Sequence, residues 1–334
     1  MAKYSDIKGF TVQTLDTDPI ANTPPTGEWA SGGNMNDARP YAFGSGGVQT
    51  AAISFGGATS NDTANENYNG TTWSENAAMN NGYGYASGTG SQTDAIAITG
   101  LTTPPLSVKT STEEWNGSSW TAGGSVNTGR YNVQNQAYGP GPAAGFVGGK
   151  NPSYNIVALH EQYNGSSWAE AGDVPAPAWL GSSAGVQTAN ILIGGAISGS
   201  TSAESFTWDG SSWTDIGTYN TARYSHAGSG VYNEALLIGG YNTAAHADTE
   251  SWDGSSWTEI GNMSNARSSL GAGKTETGNT SAIAFGGEQA PNKYTEEFSI
   301  APPTAAIQIQ GQLYFNSTAN AFKETLLSAA DGAW

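Results

Sequence analysis

The residues that most clearly suggest a binding site are the arginines, because all four occupy the same position of a repeating pattern. Each follows an alanine or a glycine and stands at the start of a predicted strand: Arg39, Arg130, Arg223 and Arg267. A guanidinium binds a carboxylate through two parallel hydrogen bonds, so the set is a candidate site for an acidic ligand. The alternative is that each arginine pairs with a nearby acid or caps backbone carbonyls, and recurs because the repeat was copied.

Aromatic and metal-ligating residues give weaker signals. Trp179, in "PAPAWLG", lies outside the repeated pattern and is a candidate surface aromatic that could stack on a sugar. The chain has no cysteine, and His160, His226 and His246 share no short spacing. The "DGSS" segments lack the spaced carboxylates of a calcium loop. We therefore expect no metal site and no cofactor.

The elements that must position these residues follow a long sequence period. A motif of the form aromatic–(Asn/Asp)–Gly–(Ser/Thr)–(Ser/Thr)–Trp occurs five times. Its closing tryptophans are Trp73, Trp120, Trp168, Trp213 and Trp257, at spacings of 47, 48, 45 and 44 residues. Half copies at Trp29 and Phe298 flank the array. A period of about 45 residues is typical of one four-stranded propeller blade.

Each period has the same interior. An apolar run that ends in two glycines predicts a buried strand, as in "LLIGG". A segment with glutamate two residues before the aromatic predicts a third strand in five of six copies: Glu66, Glu113, Glu161, Glu250 and Glu296. The Asn-Gly or Asp-Gly step then predicts a type I′ hairpin to a fourth strand. The motif tryptophans are expected to pack one unit on the next.

The double glycine, followed by Glu-x-Tyr-Asn and a tryptophan, resembles the kelch repeat; "EQYNGSSW" shows the second half. The resemblance implies a six-bladed, all-β propeller of four-stranded blades. The last blade would be closed by an N-terminal strand around Glu28 to Ala30. In kelch propellers the arginine position faces the mouth of the central channel. Two features depart from the family: a shorter turn before Trp, and "AITG" in place of the double glycine in blade two.

The ends of the chain do not repeat. We divide the chain into an N-terminal extension (1–26), a propeller (27–300) and a C-terminal β-hairpin-like extension (301–334). "GQLYFNS…NAFK" and the opening "YSDIKGFTVQTL" resemble segments of kelch-like virion structural proteins of bacteriophages, particularly marine ones. The resemblance implies an anchoring or docking role for both extensions.

Composition narrows the function. The net charge of −17 disfavours nucleic acid, whose binding needs clustered Lys and Arg, and no apolar run is long enough to span a bilayer. A copper-radical oxidase resembling kelch proteins would need the absent cysteine. A sialidase resembles this pattern in its six blades and its Asp-box turns, but the Asp-Gly step here is one residue tighter. A glycosidase would need arginines and carboxylates to converge.

These observations predict a non-enzymatic virion structural protein, made in the host cytoplasm and mounted on a capsid or tail for host-surface adhesion or shell decoration. Its expected partners are other virion proteins through the extensions, a host-surface glycan or protein, and further copies of itself. The alternative is an intracellular kelch-type binding module that holds an acidic peptide in an Arg-lined channel mouth. A glycosidase is the third class.

Overall fold

The structure, a computed structural model, describes residues 13–15, 27–42, 44–57, 62–102, 107–133, 137–273, 278–300 and 313–324. The described chain is all-β, as predicted, with one short 3-10 helix at Gly141–Ala143. It divides into two compact units. One comprises Met1–Thr26 with Ile300–Trp334, and the other is Gly27–Ser299. Strands are numbered β1 to β28 along the chain.

The described strands of the unit Gly27–Ser299 form antiparallel modules, which we number 1 to 6; modules 1 and 2 are joined in one eight-stranded sheet by a parallel bridge between Gly44 and Gly88. Module 1 contains β3 (Gly44–Val48), β4 (Ala51–Phe55), β5 (Asn65–Tyr68) and β6 (Trp73–Glu75). Module 2 contains β7 (Ser87–Ser91), β8 (Asp94–Thr102), β9 (Ser107–Trp115) and β10 (Trp120–Ala122). Module 3 contains β11 (Ala137–Tyr138), β12 (Gly145–Val147), β13 (His160–Tyr163) and β14 (Trp168–Glu170).

The remaining modules repeat this order. Module 4 contains β15 (Ala178–Trp179), β16 (Ser182–Val186), β17 (Ala189–Ile197), β18 (Ser200–Trp208) and β19 (Trp213–Thr218). Module 5 contains β20 (Ala227–Val231), β21 (Glu234–Ile238), β22 (Thr249–Trp252) and β23 (Trp257–Ile260). Module 6 contains β24 (Gly271–Ala272), β25 (Ser281–Phe285), β26 (Thr295–Ser299) and β2 (Glu28–Ser31).

The first strands of the modules contact one another in a closed order. These contacts run from β3 to β7, β11, β16, β20 and β24, and from β24 back to β3. In module 4, which has five strands, the first strand in this order is β16, and the short β15 pairs with the other end of β17. The fourth strand of module 6 comes from the other end of the unit, since β2 pairs antiparallel with β26 and Trp29 lies opposite Phe298. The sheets therefore form a propeller-like arrangement that an N-terminal strand completes.

The repeated motif forms the hairpin between the third and fourth strands, as its position predicts. Trp115 lies opposite Trp120, and the four residues between them form the loop. The type I′ turn predicted for it is wrong: Gly117 has a φ of +91°, whereas Asn116 is not in the left-handed region. Instead the Asn116 side-chain oxygen accepts the N–H groups of Ser118 and Ser119, at 3.0 and 2.9 Å. An Asx turn therefore explains the repeated pattern of Asn or Asp followed by Gly and two Ser or Thr residues.

Adjacent modules are joined by aromatic packing and by hydrogen bonds from side-chain amides. Trp120 of module 2 packs on Phe55 of module 1, with ring centroids 5.0 Å apart. The Gln187 amide of module 4 reaches into module 3 and donates to the carbonyls of Ala144 and Tyr163, at 3.0 and 2.6 Å. At the closure, Trp73 of module 1 donates to Thr295 of module 6. These contacts stabilise the order of the modules.

The unit of the chain ends has its own small sheet. Strand β27 (Leu313–Asn316) pairs antiparallel with β28 (Ala321–Glu324) across a turn at residues 317–320. Strand β1 (Gln13–Leu15) pairs parallel with β27. The N-terminal and C-terminal segments are thus joined to each other in one three-stranded sheet.

Candidate functional site

All four arginines are fully buried, and each forms an ion pair with a glutamate of its own module. Their exposed fraction is 0% in every case. The nitrogen–oxygen distances are 3.1 Å for Arg39–Glu66, 2.7 Å for Arg130–Glu161, 2.7 Å for Arg223–Glu250 and 3.0 Å for Arg267–Glu296. The glutamates are those that stand two residues before the aromatic of the turn motif.

The pair of module 3 shows how the repeat motif is used. The Arg130 guanidinium donates to the carbonyl of Gly148, the first of the two glycines, and to that of Leu159, at 2.9 and 2.7 Å. Glu161 also accepts the backbone N–H of Asn127 at 2.7 Å. Burial lowers the pKa of Arg130 to about 10, although Glu161 acts in the opposite direction. The arginine, the first glycine and the glutamate therefore act together to connect the strands of one module.

Module 2 keeps part of this arrangement. Tyr83 occupies the arginine position and exchanges a hydrogen bond with Ser111 at 2.9 Å. Glu113 accepts the backbone N–H groups of Asn80 and Asn81, at 2.8 and 2.7 Å, and their side-chain amides as well. Amide donors therefore surround a buried carboxylate that has no arginine partner.

Module 4 replaces the arrangement completely. Ala178 stands at the arginine position and Phe206 at the glutamate position, and both lie in one apolar cluster. Pro175 stands three residues before Ala178, where Asn127 precedes Arg130 in module 3. Proline has no backbone N–H. Module 4 therefore lacks the backbone N–H donor, and it also has phenylalanine in place of the glutamate that accepts this hydrogen bond in other modules. The two replacements are thus mutually consistent.

The expectation that Arg39, Arg130, Arg223 and Arg267 line a channel mouth for an acidic ligand is therefore wrong. Each guanidinium faces a carboxylate and carbonyls inside its module, and none is accessible to solvent. A buried charge needs such partners because leaving water costs it far more than one hydrogen bond returns. The structure supports the alternative, in which each arginine pairs with a nearby acid within the repeat.

Trp179 is half-buried, and one of its faces is covered. The Lys150 ammonium lies 3.5 Å from the centroid of its ring. Its backbone pairs with Ala196 in β17, so the residue is held within module 4. A cation already occupies the ring face that a sugar would use. Of the predicted site residues, the structure thus brings none to an open ligand site.

An opening that the sequence does not predict lies where the first strands begin. We call it the tyrosine mouth; it is a cavity of about 420 Å³. Residues from all modules line it: Tyr41, Tyr85, Asn132, Leu180, Tyr224, Ser225, Tyr241, Ser268, Ser269 and Glu288. A second opening of about 360 Å³ lies at the other ends of these strands and is lined mainly by Gly, Val and Ala. The tyrosine mouth is the more polar of the two and is lined by four tyrosines, whereas Tyr138 is the one aromatic residue in the described lining of the second opening.

The rim of the tyrosine mouth has a strained and regular backbone. One residue from each of modules 2 to 6 has a positive φ between 52° and 59°, and these are Tyr85, Asn132, Leu180, Ser225 and Ser269. Residues other than Gly, Asn and Asp rarely adopt this backbone conformation. Where they do, the position is often part of a functional site. The feature marks the mouth as a candidate site.

Backbone hydrogen bonds connect these rim residues around the opening. The N–H of Ser225 donates to the carbonyl of Leu180, and the N–H of Ser269 donates to that of Ser225, both at 2.7 Å. Further links join Asn132 to Tyr85, Leu180 to Asn132 and Ala42 to Ser269. Between modules 1 and 2, the rings of Tyr41 and Tyr85 are in contact, with centroids 5.1 Å apart. The rim is therefore held in one conformation.

Other site classes find no support among the described residues. Within these ranges, no group of three or more His, Asp or Glu is placed to hold a metal ion. The described chain contains no helix that is long and apolar enough to cross a membrane.

Comparisons with known proteins bear on the fold alone. No family model matches the chain, and no curated protein matches it. Many solved structures match, and one of them is titled "Structure of YjhT". The match has a TM-score of 0.65 at 12% sequence identity, and it covers 79% of this chain and 95% of that one. The chain therefore shares an all-β, propeller-like fold with a solved structure to which its sequence is barely related.

Proposed function

We propose that the chain is a six-bladed, kelch-like propeller that acts as a bacteriophage virion structural protein, mounted on a capsid or tail by its terminal unit. The six modules correspond to the blades, and the closed order of first-strand contacts supports the count. Its function is display and attachment, with no chemical reaction. Host-surface adhesion and shell decoration are the two roles that such a platform suits.

The observation that carries this proposal is the position of the two chain ends. Glu28 lies opposite Ser299, so the N-terminal and C-terminal extensions leave the propeller-like unit side by side. Beyond that point both extensions contribute strands to a separate three-stranded sheet. A unit that contains both ends of the chain is suited to mounting the rest on another protein. The "GQLYFNS…NAFK" segment, which resembles virion proteins, contributes β27 and β28 of this sheet.

The described residues at the tyrosine mouth support binding more than catalysis. Most glycosidases use a pair of carboxylates on either side of the scissile bond. The described lining of the tyrosine mouth contains one carboxylate, that of Glu288. The arginines that a sialidase-like site would use on an acidic sugar are buried in ion pairs. A glycosidase is thus the weaker hypothesis for this mouth.

Proteomics of density-purified virus particles from the source culture, combined with chemical cross-linking, tests the proposal. We expect the chain in a fixed ratio to the major capsid or tail protein. The cross-links to that protein should start from Lys3, Lys8 or Lys323 of the extensions, while the lysines of the propeller-like unit, which are Lys109, Lys150, Lys274 and Lys293, give few. Absence of the chain from washed particles would refute the virion assignment. Cross-links spread evenly over all seven lysines would refute mounting by the ends.

A further inference from the structure

The tyrosine mouth presents two pairs of aromatic rings. Tyr224 and Tyr241 of module 5 have ring centroids 5.7 Å apart, and Tyr41 and Tyr85 pair in the same way across modules 1 and 2. All four side chains are half-buried, so their rings contribute surface to the cavity. The faces of aromatic rings carry negative electrostatic potential.

A carboxylate lies between the two pairs in the order of the modules. Glu288 belongs to module 6, between modules 5 and 1, and it accepts a hydrogen bond from Ser268 at 3.2 Å. Burial, and then a hydrogen bond to Glu288, raises the pKa of Tyr41, which therefore stays protonated. Glu288 also raises the pKa of Tyr224, after burial and the neighbouring Tyr241. The carboxylate thus lies in the same mouth as the rings and acts on one tyrosine of each pair.

The described lining of the mouth carries negative charge and no positive charge. Its described lining has one formal charge, that of Glu288, and contains no Lys, Arg or His. The whole chain has a net charge of −17. The buried arginines do not offset this locally, because each is paired with its own glutamate. An anionic ligand would meet repulsion at this opening, whereas a cation would be attracted.

We infer that the tyrosine mouth binds an organic cation of the quaternary or methylated ammonium class. Aromatic rings around a carboxylate are the surroundings that recognise such groups, because ring faces attract a weakly hydrated cation and the carboxylate supplies the counter-charge. The cavity of about 420 Å³ is within the usual range for small-molecule sites. This inference does not depend on the virion assignment, since it follows from the mouth alone.

The rigid rim favours such binding. Binding loses free energy when flexible loops must be ordered. Here the rim residues of modules 2 to 6 are already fixed by their backbone hydrogen bonds. The rings therefore need little rearrangement to receive a cation.

Calorimetric titration of the full-length protein with choline, and separately with its neutral isostere 3,3-dimethylbutan-1-ol, tests the inference. The two probes have the same shape and differ in charge. We expect choline to bind at least about tenfold more tightly, and its affinity to fall as salt is added. Equal affinities would overturn the inference in favour of a simple apolar pocket. Absence of choline binding at millimolar concentration would also overturn it.

Variants locate the site. Glu288→Gln should weaken choline about tenfold, and Tyr241→Leu should do the same, while Tyr241→Phe keeps the ring and should change the affinity less than threefold. Tyr154→Leu is the matched control, because Tyr154 is 61% exposed and lies outside the mouth lining. The thermal midpoint of each variant shows that it is folded. Choline binding unchanged in folded Glu288→Gln would refute the site, and so would a neutral hexose that displaces choline and binds with equal affinity.

Discussion

Replacement of Arg130 by methionine should lower the free energy of unfolding by about 3 to 5 kcal/mol, because it leaves a buried carboxylate without its counter-ion. Glu161 is 1% exposed, so water cannot replace the guanidinium. The carbonyl of Gly148 would lose its guanidinium donor in the same step, whereas that of Leu159 would keep the N–H of Gly148. Burial lowers the pKa of Arg130 to about 10 although Glu161 acts in the opposite direction, so desolvation is the larger of the two effects on this group. The expected loss of stability thus comes from the Glu161 carboxylate that the substitution leaves unpaired, and not from a large net stabilisation by the intact ion pair.

Module 4 supplies the matching rescue. The triple variant Asn127→Pro, Arg130→Ala and Glu161→Phe copies Pro175, Ala178 and Phe206 into module 3. It removes the donor, the cation and the anion together, so no buried charge remains. Replacement of a buried ion pair by apolar groups is often neutral. We therefore expect the triple variant to lie within about 2 kcal/mol of the parent and to be more stable than Arg130→Met.

Guanidinium unfolding followed by tryptophan fluorescence measures these differences as shifts of the midpoint. Glu170→Gln is the control, because this carboxylate is exposed in the same module and should change stability by less than about 0.5 kcal/mol. A cost below about 1 kcal/mol for Arg130→Met would refute the reasoning. A triple variant less stable than Arg130→Met would show that the arrangement of module 4 depends on its own surroundings.

Three further predictions concern other parts of the fold. His160 is buried between Tyr138 and the Gly172 carbonyl, and burial lowers its pKa to about 4, so the folded state binds its proton less tightly than the unfolded chain. Stability should therefore be complete above pH 6.5 and fall by about 2 kcal/mol by pH 5, measured as a guanidinium midpoint, and His160→Gln should show a smaller fall. Gln187→Ala should cost about 1 to 2 kcal/mol by the same assay, since it removes a donor from two carbonyls of module 3, of which that of Ala144 still accepts the N–H of Tyr163. A change below about 0.5 kcal/mol would contradict the proposed link between modules. Gly254→Ala should cost about 1 kcal/mol because φ is +91° there. Gly217→Ala tests the same backbone strain without a steric contribution, because nothing lies within 4 Å of the added Cβ.

The sequence carries enough information for the strands and their order. The apolar runs became the buried second strands, and the Asn-Gly and Asp-Gly steps became hairpins between third and fourth strands. The closing strand around Trp29 was also predictable, because the last repeat lacked a fourth strand of its own. The turn type could not be predicted in this way, because the side chain of Asn116 accepts hydrogen bonds from the N–H groups that a type I′ turn would have left to water.

The arginines show where pattern reasoning stops. Arginine and glutamate were both visible as repeated residues, but they stand 27 to 31 residues apart, and the register of the strands brings them together. A signal was present: module 4 lacks the arginine, the glutamate and the preceding donor at once. Simultaneous loss of three residues indicates a shared contact.

The tyrosine mouth had no such signal. Tyr41 and Tyr85 come from the start of a first strand, whereas Tyr241 and Glu288 follow the double glycines of modules 5 and 6. Residues from unlike repeat positions meet only because the first strands close on themselves. A periodic analysis compares like positions and therefore cannot find them.

The pairing of Glu28 with Ser299 also has a mechanical consequence. Strands β2 and β26 run antiparallel, and both extensions continue from the same end of their short ladder. A pull applied to both extensions together loads the two strands in the same direction, so the hydrogen bonds between them carry little shear. A pull on one extension alone would slide β2 along β26 and open the ring at its closure. A mount that holds both ends therefore protects the fold against forces that a single tether would transmit to the ladder that closes the ring.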